Sequence, residues 1–150
     1  MKLALVAVLA CTGSCGDNVT GGPFDSVPVT TKVTAPGLSA PVDVVRDTFG
    51  VPHIYAKTEA DAAFANGYIQ AGDRISEMEL LRHFAEGRVA ELFGGLQPEQ
   101  IDGDLTMRMH RFRELAQQSF DAFQASSDPV DQAIVVELQR YADGANQYVE

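Results

Sequence analysis

The second half of the sequence is dominated by apolar residues that recur every three or four positions, which is the period of an amphipathic α-helix. The first stripe consists of Leu105, Met109, Phe112, Ala116, Phe120 and Phe123. The second consists of Ile134, Leu138, Tyr141, Ala145 and Tyr148. The spacing predicts one long helix over 105–123, with Asp104 as its N-cap, and another over 134–148. Because no Gly, Asn or Pro ends the second pattern, we expect the natural chain to continue beyond Glu150.

The middle of the chain has a similar but interrupted pattern. Thr58 and Asp61 resemble a capping box, which predicts that a helix begins there. The helical spacing of apolar residues continues to Gly87, with Gly67 and Gly72 as weak points, so we expect two helices with a kink near Gly72. A short helix is predicted over 88–93, ending at Gly94 and Gly95 and followed by a loop through Pro98.

A pair of short β-branched and aromatic runs precedes the helices. The sequences VDVVRD and VPHIYA, within residues 42–56, are separated by Thr48, Phe49 and Gly50. This arrangement predicts an antiparallel hairpin, in which Gly50 supplies the positive φ that such a turn often needs. Residues 15–36 are rich in Gly, Pro, Thr and Ser and are predicted to form a flexible tether, within which Val29–Val33 is a candidate short edge strand.

The first residues have the pattern of an export signal. A lysine precedes the apolar run 3–10, and small and polar residues follow, which predicts a signal peptide over residues 1–14. The run is far shorter than the roughly 20 residues that span a bilayer. Cys11 and Cys15 each follow a small residue, as in bacterial lipoprotein signals, and are the candidate lipid-attachment residues. Lipid anchoring and simple secretion, into the periplasm or beyond it, both remain open.

Composition excludes some classes of partner. The chain has 150 residues, 45% of them hydrophobic, which is ordinary for a soluble globular protein. Its net charge of −10 disfavours nucleic acid and anionic lipid surfaces. The arginines in the middle of the chain alternate with carboxylates at helical spacing, which is typical of a solvated helix face.

The three histidines offer little evidence for catalysis or metal binding. His53 lies within the predicted second strand, where packing and a hydrogen bond to a carbonyl are the favoured interpretation. Glu79 and His83 are four residues apart, a spacing that puts an imidazole and a carboxylate on one helix face. His110 has Met107 rather than Glu three residues before it, so the paired pattern of a di-iron bundle is absent. We therefore expect no metal site from these residues.

The acidic residues of the middle segment are also better explained as structural. These acidic residues are Asp73, Glu77, Glu79 and Glu86. Each can pair within a helical turn with one of three arginines, Arg74, Arg82 and Arg88. No GxSxG elbow, P-loop or dinucleotide fingerprint occurs in the sequence. Composition and spacing alone thus define no mechanism.

One long stretch nevertheless resembles a known family. Residues 42–94 are similar to the start of the α chain of penicillin amidases, and residues 141–149, YADGANQYV, resemble the next marker of that family. The most telling pieces are Arg46 and Asp47 before Gly50, the run GVPHIYA, Gly67 with Tyr68, Asp73 with Arg74, Met78 with Glu79, and Gly87 before Ala90 and Glu91. Gly72 and Ser76 depart from the family pattern, where glutamine and a large aromatic residue are common.

The resemblance implies an α+β fold, the N-terminal part of an N-terminal nucleophile (Ntn) hydrolase with its αββα layers, here a β-hairpin followed by a mainly helical region. Residues 37–150 would be the N-terminal portion of the α chain. It also implies a precursor that cuts itself and exposes a serine as the first residue of a β chain, with its own α-amine as base. That serine, and the calcium ligands usual in the family, would follow residue 150, so no catalytic, cofactor or metal residue is assigned here.

The function implied is hydrolysis of a linear N-acyl amide, such as a β-lactam side chain or an acyl homoserine lactone, with the β chain of the same precursor as partner. This segment alone should be inactive. The alternative is a non-enzymatic exported helical protein, a lipoprotein or truncated relic, whose apolar stripes bind a partner.

Overall fold

The computed structural model describes residues 5–10, 29–94, 96 and 99–150. The strands are β1 Leu5–Ala10, β2 Val29–Thr34, β3 Val42–Arg46 and β4 Pro52–Tyr55, and the helices are α1 Glu59–Glu86, α2 Val89–Phe93, α3 Gln100–His110, α4 Phe112–Ala125 and α5 Pro129–Val149. The chain divides into two compact units. Unit 1 comprises Met1–Ala71 with Val136–Glu150, and unit 2 comprises Gly72–Val135.

The predicted hairpin is confirmed as β3 and β4. The two strands pair antiparallel with Val44 opposite Ile54, and Gly50 in the connection has a φ of 82°. The four described strands form one sheet in the order β2-β1-β3-β4, in which β1 is parallel to β2 and antiparallel to β3. The predicted edge strand at Val29–Val33 is therefore present as β2. Of the predicted tether over 15–36, residues 15–28 lie outside the described residues, whereas Thr34 ends β2 and Ala35 is buried in the core of unit 1.

Strand β1 lies inside the segment predicted as an export signal. The backbone of Leu5–Ala10 pairs with β3 over five residue positions. An apolar, β-branched run can form a strand in the intact chain and still be recognised as a signal before folding, so this pairing does not test export.

The core of unit 1 lies between the hairpin and the first half of α1. Val42 and Val44 alternate along β3 and are almost completely buried, as expected for one face of a strand. They pack in one cluster with Phe64, Ala65 and Ile69 of α1, together with Ala35 and Leu38.

Helices α1 and α5 approach each other at two glycines in unit 1. A Cβ added to Gly67 would lie 3.1 Å from the Ala145 nitrogen and closer still to the Tyr141 carbonyl. A Cβ added to Gly144 would lie 3.0 Å from the Tyr68 nitrogen and closer still to the Phe64 carbonyl. The absence of side chains at both glycines thus allows backbone to pack against backbone.

The kink predicted near Gly72 is confirmed. Helix α1 runs to Glu86, but Arg74 has a φ of −151° and a ψ of 35°, which interrupts the helical conformation. The second predicted helix, over 134–148, is also confirmed within α5. Its first turn is capped by Asp128, whose carboxylate accepts a hydrogen bond of 2.8 Å from the Val130 amide.

The prediction of one continuous helix over 105–123 is wrong. The segment is divided at Arg111, which adopts the left-handed conformation with a φ of 55° and separates α3 from α4. No glycine or proline marks this break in the sequence. The predicted role of Asp104 as N-cap of that helix is wrong as well, because Asp104 lies inside α3 and binds the start of α2 instead.

Candidate functional site

The most completely buried carboxylate of the described residues is Asp61, in the first turn of α1. It is 1% exposed. The Ser39 amide donates a hydrogen bond of 2.9 Å to Asp61 Oδ1, and the Ser39 hydroxyl donates to Oδ2. The Asp61 amide donates to Thr58 Oγ1 at 3.1 Å, which confirms the Thr58 half of the predicted capping box. Asp61 therefore ties the loop before β3 to the start of α1.

Arg140 of α5 joins the same network. Its Nη2 lies 3.8 Å from Asp61 Oδ1 and donates a hydrogen bond to the Gly37 carbonyl. Its guanidinium also stacks over the Phe64 ring at 4.8 Å from the ring centroid. One cation thus links α5 to the loop and to α1.

The pKa of Asp61 reflects two opposing effects. Burial raises it, but the hydrogen bonds from Ser39 and Thr58 outweigh burial and hold the pKa below its ordinary value. The ionised form is the one that this site stabilises, so Asp61 acts as a structural anchor and not as a proton donor near neutral pH.

The hairpin turn contains a second organised carboxylate. Asp47 Oδ1 accepts hydrogen bonds from the amides of Phe49 and Val51 at 2.8 and 3.0 Å, and Oδ2 lies 3.4 Å from His53 Nε2. Desolvation raises the pKa of Asp47, but these hydrogen bonds lower it by more. His53 lies in β4, its side chain is 49% exposed, and its Nε2 faces the Asp47 carboxylate, where a carbonyl was the expected partner.

In unit 2, arginines and carboxylates alternate along the surface as predicted. Arg82 pairs with Glu79 and Glu86, and Arg88 pairs with Glu86 and Glu91. The hydrogen bond from Arg82 lowers the pKa of Glu79, and those from Arg88 lower the pKa of Glu86 and of Glu91. These pairings leave no carboxylate among the three with the raised pKa of a general acid.

Unit 2 also contains a buried carboxylate, Asp104. Its two oxygens accept hydrogen bonds from the Val89 and Ala90 amides at 2.9 and 2.8 Å. These amides belong to the first turn of α2 and would otherwise have no acceptor. Arg108 donates a hydrogen bond of 2.8 Å to the Gly87 carbonyl, so α3 fixes the turn between α1 and α2.

The other candidates from the sequence are two histidines, His83 and His110, and the two cysteines. His83 is buried and its Nδ1 lies 2.9 Å from the Glu79 carbonyl and 3.3 Å from the Glu79 carboxylate. His110 stacks on Phe112. Among the described residues, no group of three or more His, Cys, Asp or Glu side chains could hold a metal ion. Cys11 and Cys15, the candidate lipid-attachment residues, lie outside the described residues.

Sequence reasoning recognised Asp61 and Asp104 only as helix caps and missed Arg140 entirely. Their partners Ser39, Gly37 and Val89 are between 15 and 103 positions away in sequence. No local pattern identifies such pairs.

These contacts define an α+β scaffold. In unit 1, Asp61 ties the loop before the hairpin to α1, and α1 packs closely against α5. In unit 2, Asp104 ties α3 to α2. No helix of the described residues is long and apolar enough to cross a membrane. The predicted α+β class is confirmed.

Comparison with known proteins identifies the family. The family model described as penicillin amidase matches residues 41–150, and this chain belongs to that family. It is 38% identical over 122 residues to penicillin acylase 2 proenzyme of Pseudomonas sp. (strain SE83), covering 81% of this chain and 14% of that protein. It is also 38% identical over 131 residues to acyl-homoserine lactone acylase QuiP of Pseudomonas putida, covering 87% of this chain and 15% of that protein.

A solved structure supports the same family assignment. The chain aligns with a thermostable penicillin G acylase from Alcaligenes faecalis at 30% identity and a TM-score of 0.59, over 72% of this chain and 52% of that chain. The present chain therefore spans about half of the solved chain but only a small part of the full-length relatives, 14% and 15% in the two cases above.

Proposed function

We propose that this chain is the N-terminal part of an exported acylase that hydrolyses linear N-acyl amide bonds. The observation that carries the proposal is the unbroken family match over residues 41–150. Two of its relatives are named penicillin acylase and acyl-homoserine lactone acylase. Both names are consistent with hydrolysis of the bond between an acyl group and a nitrogen atom. The acyl group and the amine that this protein accepts are not distinguished by any described residue.

We further propose that the protein is an Ntn hydrolase made as a precursor and cut into two chains, with a serine as the first residue of the second chain. Two observations support this. One relative is named a proenzyme, and the solved penicillin G acylase chain is much shorter than the full-length relatives. The α-amine of such a serine has a pKa of about 8, well below that of lysine, so it can take the hydroxyl proton near neutral pH. Hydrogen-bond donors of an oxyanion hole would stabilise the resulting tetrahedral intermediate.

The described residues would support this chemistry without taking part in it. The organised carboxylates Asp47, Asp61 and Asp104 already accept hydrogen bonds from backbone amides. Calcium, which the family resemblance implies for the full protein, does not fit the described residues, because they contain no set of three acidic side chains that could hold it. Its ligands are expected after residue 150.

The test is to express the complete gene and determine the chains of the purified protein by mass spectrometry. We expect two chains, the second beginning with serine, and hydrolysis of a chromogenic phenylacetyl amide or of an acyl homoserine lactone. Replacing that serine by alanine should abolish hydrolysis. A single uncut polypeptide that hydrolyses neither substrate would refute the proposal.

The same mass spectra test export. A mature protein that lacks residues 1–14 supports a cleaved signal, and a lipid-modified N-terminal cysteine at Cys15 or Cys11 supports an anchored form. Retention of the segment containing β1 would contradict both.

The alternative function is a non-enzymatic exported interaction module. It is favoured by exposed apolar side chains on α4 and α5, including Leu115, Val130 and Leu138, which are 53%, 66% and 51% exposed. A natural product that ends at Glu150 and is a stable, soluble monomer would support this alternative over the acylase.

A further inference from the structure

Unit 2 contains a small pocket with a strong excess of positive charge. It has a volume of about 230 Å³ and lies where the end of α1 and the start of α2 meet the α3–α4 junction. Four arginines are among the residues that line it, Arg88, Arg108, Arg111 and Arg113, against two glutamates, Glu86 and Glu114. Four of the eleven basic residues of a chain with net charge −10 therefore surround one cavity.

The four arginines differ in the partners that their side chains already have. Arg88 is paired with Glu86 and Glu91, and Arg108 uses its Nε to bind the Gly87 carbonyl. After Arg88 and Arg82, Arg113 also helps to lower the pKa of Glu86 through its charge, but neither the Arg111 nor the Arg113 side chain is hydrogen-bonded or ion-paired to a residue that the structure describes. Two fork-shaped donors at the same cavity thus remain available to an anion.

The backbone explains why these two residues lie at the pocket. Arg111 has a positive φ of 55° between two helices, a conformation that costs free energy for a residue with a side chain. This turn places Arg111 at the break and Arg113 in the first turn of α4. The strained residue is therefore part of the pocket lining.

The remaining lining residues are Ala85, Met107 and Phe112, which supply apolar surface. A bare inorganic anion would leave this surface without a partner, whereas an organic carboxylate would use both the guanidinium groups and the apolar walls. We propose that this pocket binds a carboxylate attached to a small apolar group.

Two sources can supply that carboxylate. One is a free organic acid. The other is an acidic side chain from the remainder of the protein, since the relatives are several times longer than this chain. Carboxylate binding at this pocket does not depend on the proposed acylase activity, so either proposal can be refuted without the other.

The test uses the protein from the complete gene and ¹³C-carboxyl benzoate as probe, with binding followed by NMR line broadening. The variants are Arg113→Gln, which lies in regular helix, and the double variant Arg111→Gln with Arg113→Gln. Arg74→Gln is the matched control, because Arg74 is an exposed arginine outside the pocket that lies 3.9 Å from Glu77.

If the carboxylate is a free acid, benzoate should bind saturably and more weakly at high salt. Arg113→Gln should weaken binding about tenfold, which corresponds to about 1.4 kcal/mol, and the double variant should weaken it more, since a second charged hydrogen bond is lost. Arg74→Gln should bind as the wild type does, and Arg113→Lys should recover part of the affinity.

If the carboxylate belongs to the protein itself, benzoate should not bind, but Arg113→Gln should reduce the yield of correctly assembled protein while Arg113→Lys and Arg74→Gln do not. The proposal is overturned if the wild type binds no benzoate and Arg113→Gln assembles normally, or if Arg113→Gln binds benzoate as tightly as the wild type. Acylase activity measured on the same wild-type sample tests the proposed function independently.

Discussion

Replacing Gly144 by alanine should destabilise unit 1 although alanine is the better helix former. The new Cβ would lie 2.8 Å from the Phe64 carbonyl carbon, 3.0 Å from the Tyr68 nitrogen and closer still to the Phe64 carbonyl oxygen. All three atoms belong to the backbone of α1, so no side-chain rotation can relieve the contact. The helices must move apart, which loosens the packing of Phe64 in the core.

The expected magnitude follows from two opposing effects. Overpacking in a close-packed region costs about 1–3 kcal/mol, and backbone contacts belong at the upper end of that range. Alanine in place of glycine returns about 1 kcal/mol through helix propensity. We therefore expect a net loss of about 2 kcal/mol in the free energy of unfolding, or about 4–8 °C in the midpoint of thermal unfolding for a chain of this size.

Tyrosine fluorescence measures this loss in unit 1 alone. The four tyrosines, Tyr55, Tyr68, Tyr141 and Tyr148, all lie in unit 1, and the chain has no tryptophan. Gly67→Ala should behave in the same way, since its Cβ would meet the Tyr141 carbonyl. The double variant should cost less than the sum of the single ones, because one separation of the helices relieves both contacts.

The matched control is Gly103→Ala. Gly103 lies within α3, and a Cβ there would meet no atom within 4 Å. The same substitution should therefore raise the stability of unit 2 by about 0.5–1 kcal/mol, measured by far-UV circular dichroism. A Gly144→Ala protein as stable as the wild type, or more stable, would refute the close helix crossing.

Two further predictions concern the buried carboxylates. Asp104→Ala should lower the free energy of unfolding of unit 2 by about 1–2 kcal/mol, because it removes the acceptors of the Val89 and Ala90 amides. Urea unfolding followed by circular dichroism would show this loss, and Asp104→Asn should lose less. Equal losses in the two variants would argue against capping. Ser39→Ala should destabilise unit 1 at pH 7, and the difference from the wild type should shrink as the pH falls through the folded pKa of Asp61. The difference shrinks at low pH because the pKa of Asp61 is lowered in the folded state, so its stabilising effect is present above the unfolded pKa and is lost on protonation. A difference in stability that is independent of pH would contradict this prediction.

Local patterns predicted the regular elements well. The hairpin follows from two short strands and Gly50, and the kink near Arg74 follows from a glycine in an otherwise helical segment. Periodicity also predicted α5, because its apolar stripe begins just after a capping aspartate and a proline. These features depend on residues that are close together in sequence.

The features that were missed are not visible in the local pattern of apolar residues. Periodicity cannot reveal the break at Arg111, since an apolar stripe continues across it and arginine is an unusual residue for a positive φ. The roles of Asp104 and Arg140 are set by backbone groups of other elements. His53 lies in the predicted strand, but its partner is the Asp47 carboxylate of the neighbouring turn and not the expected carbonyl.

The structure explains why two separated stretches carry the family resemblance. Residues 64–71 of α1 and 141–148 of α5 form the two sides of one contact: Gly67 and Gly144 allow the close approach, Tyr141 donates a hydrogen bond of 2.8 Å to Gln70, and Tyr68 packs edge-on against Tyr148 at 5.4 Å between ring centroids. A sequence must preserve both sides of such a contact to keep the fold, whatever substrate the protein accepts. The resemblance in these stretches therefore identifies a shared scaffold, which is a property of the fold and carries no information on substrate.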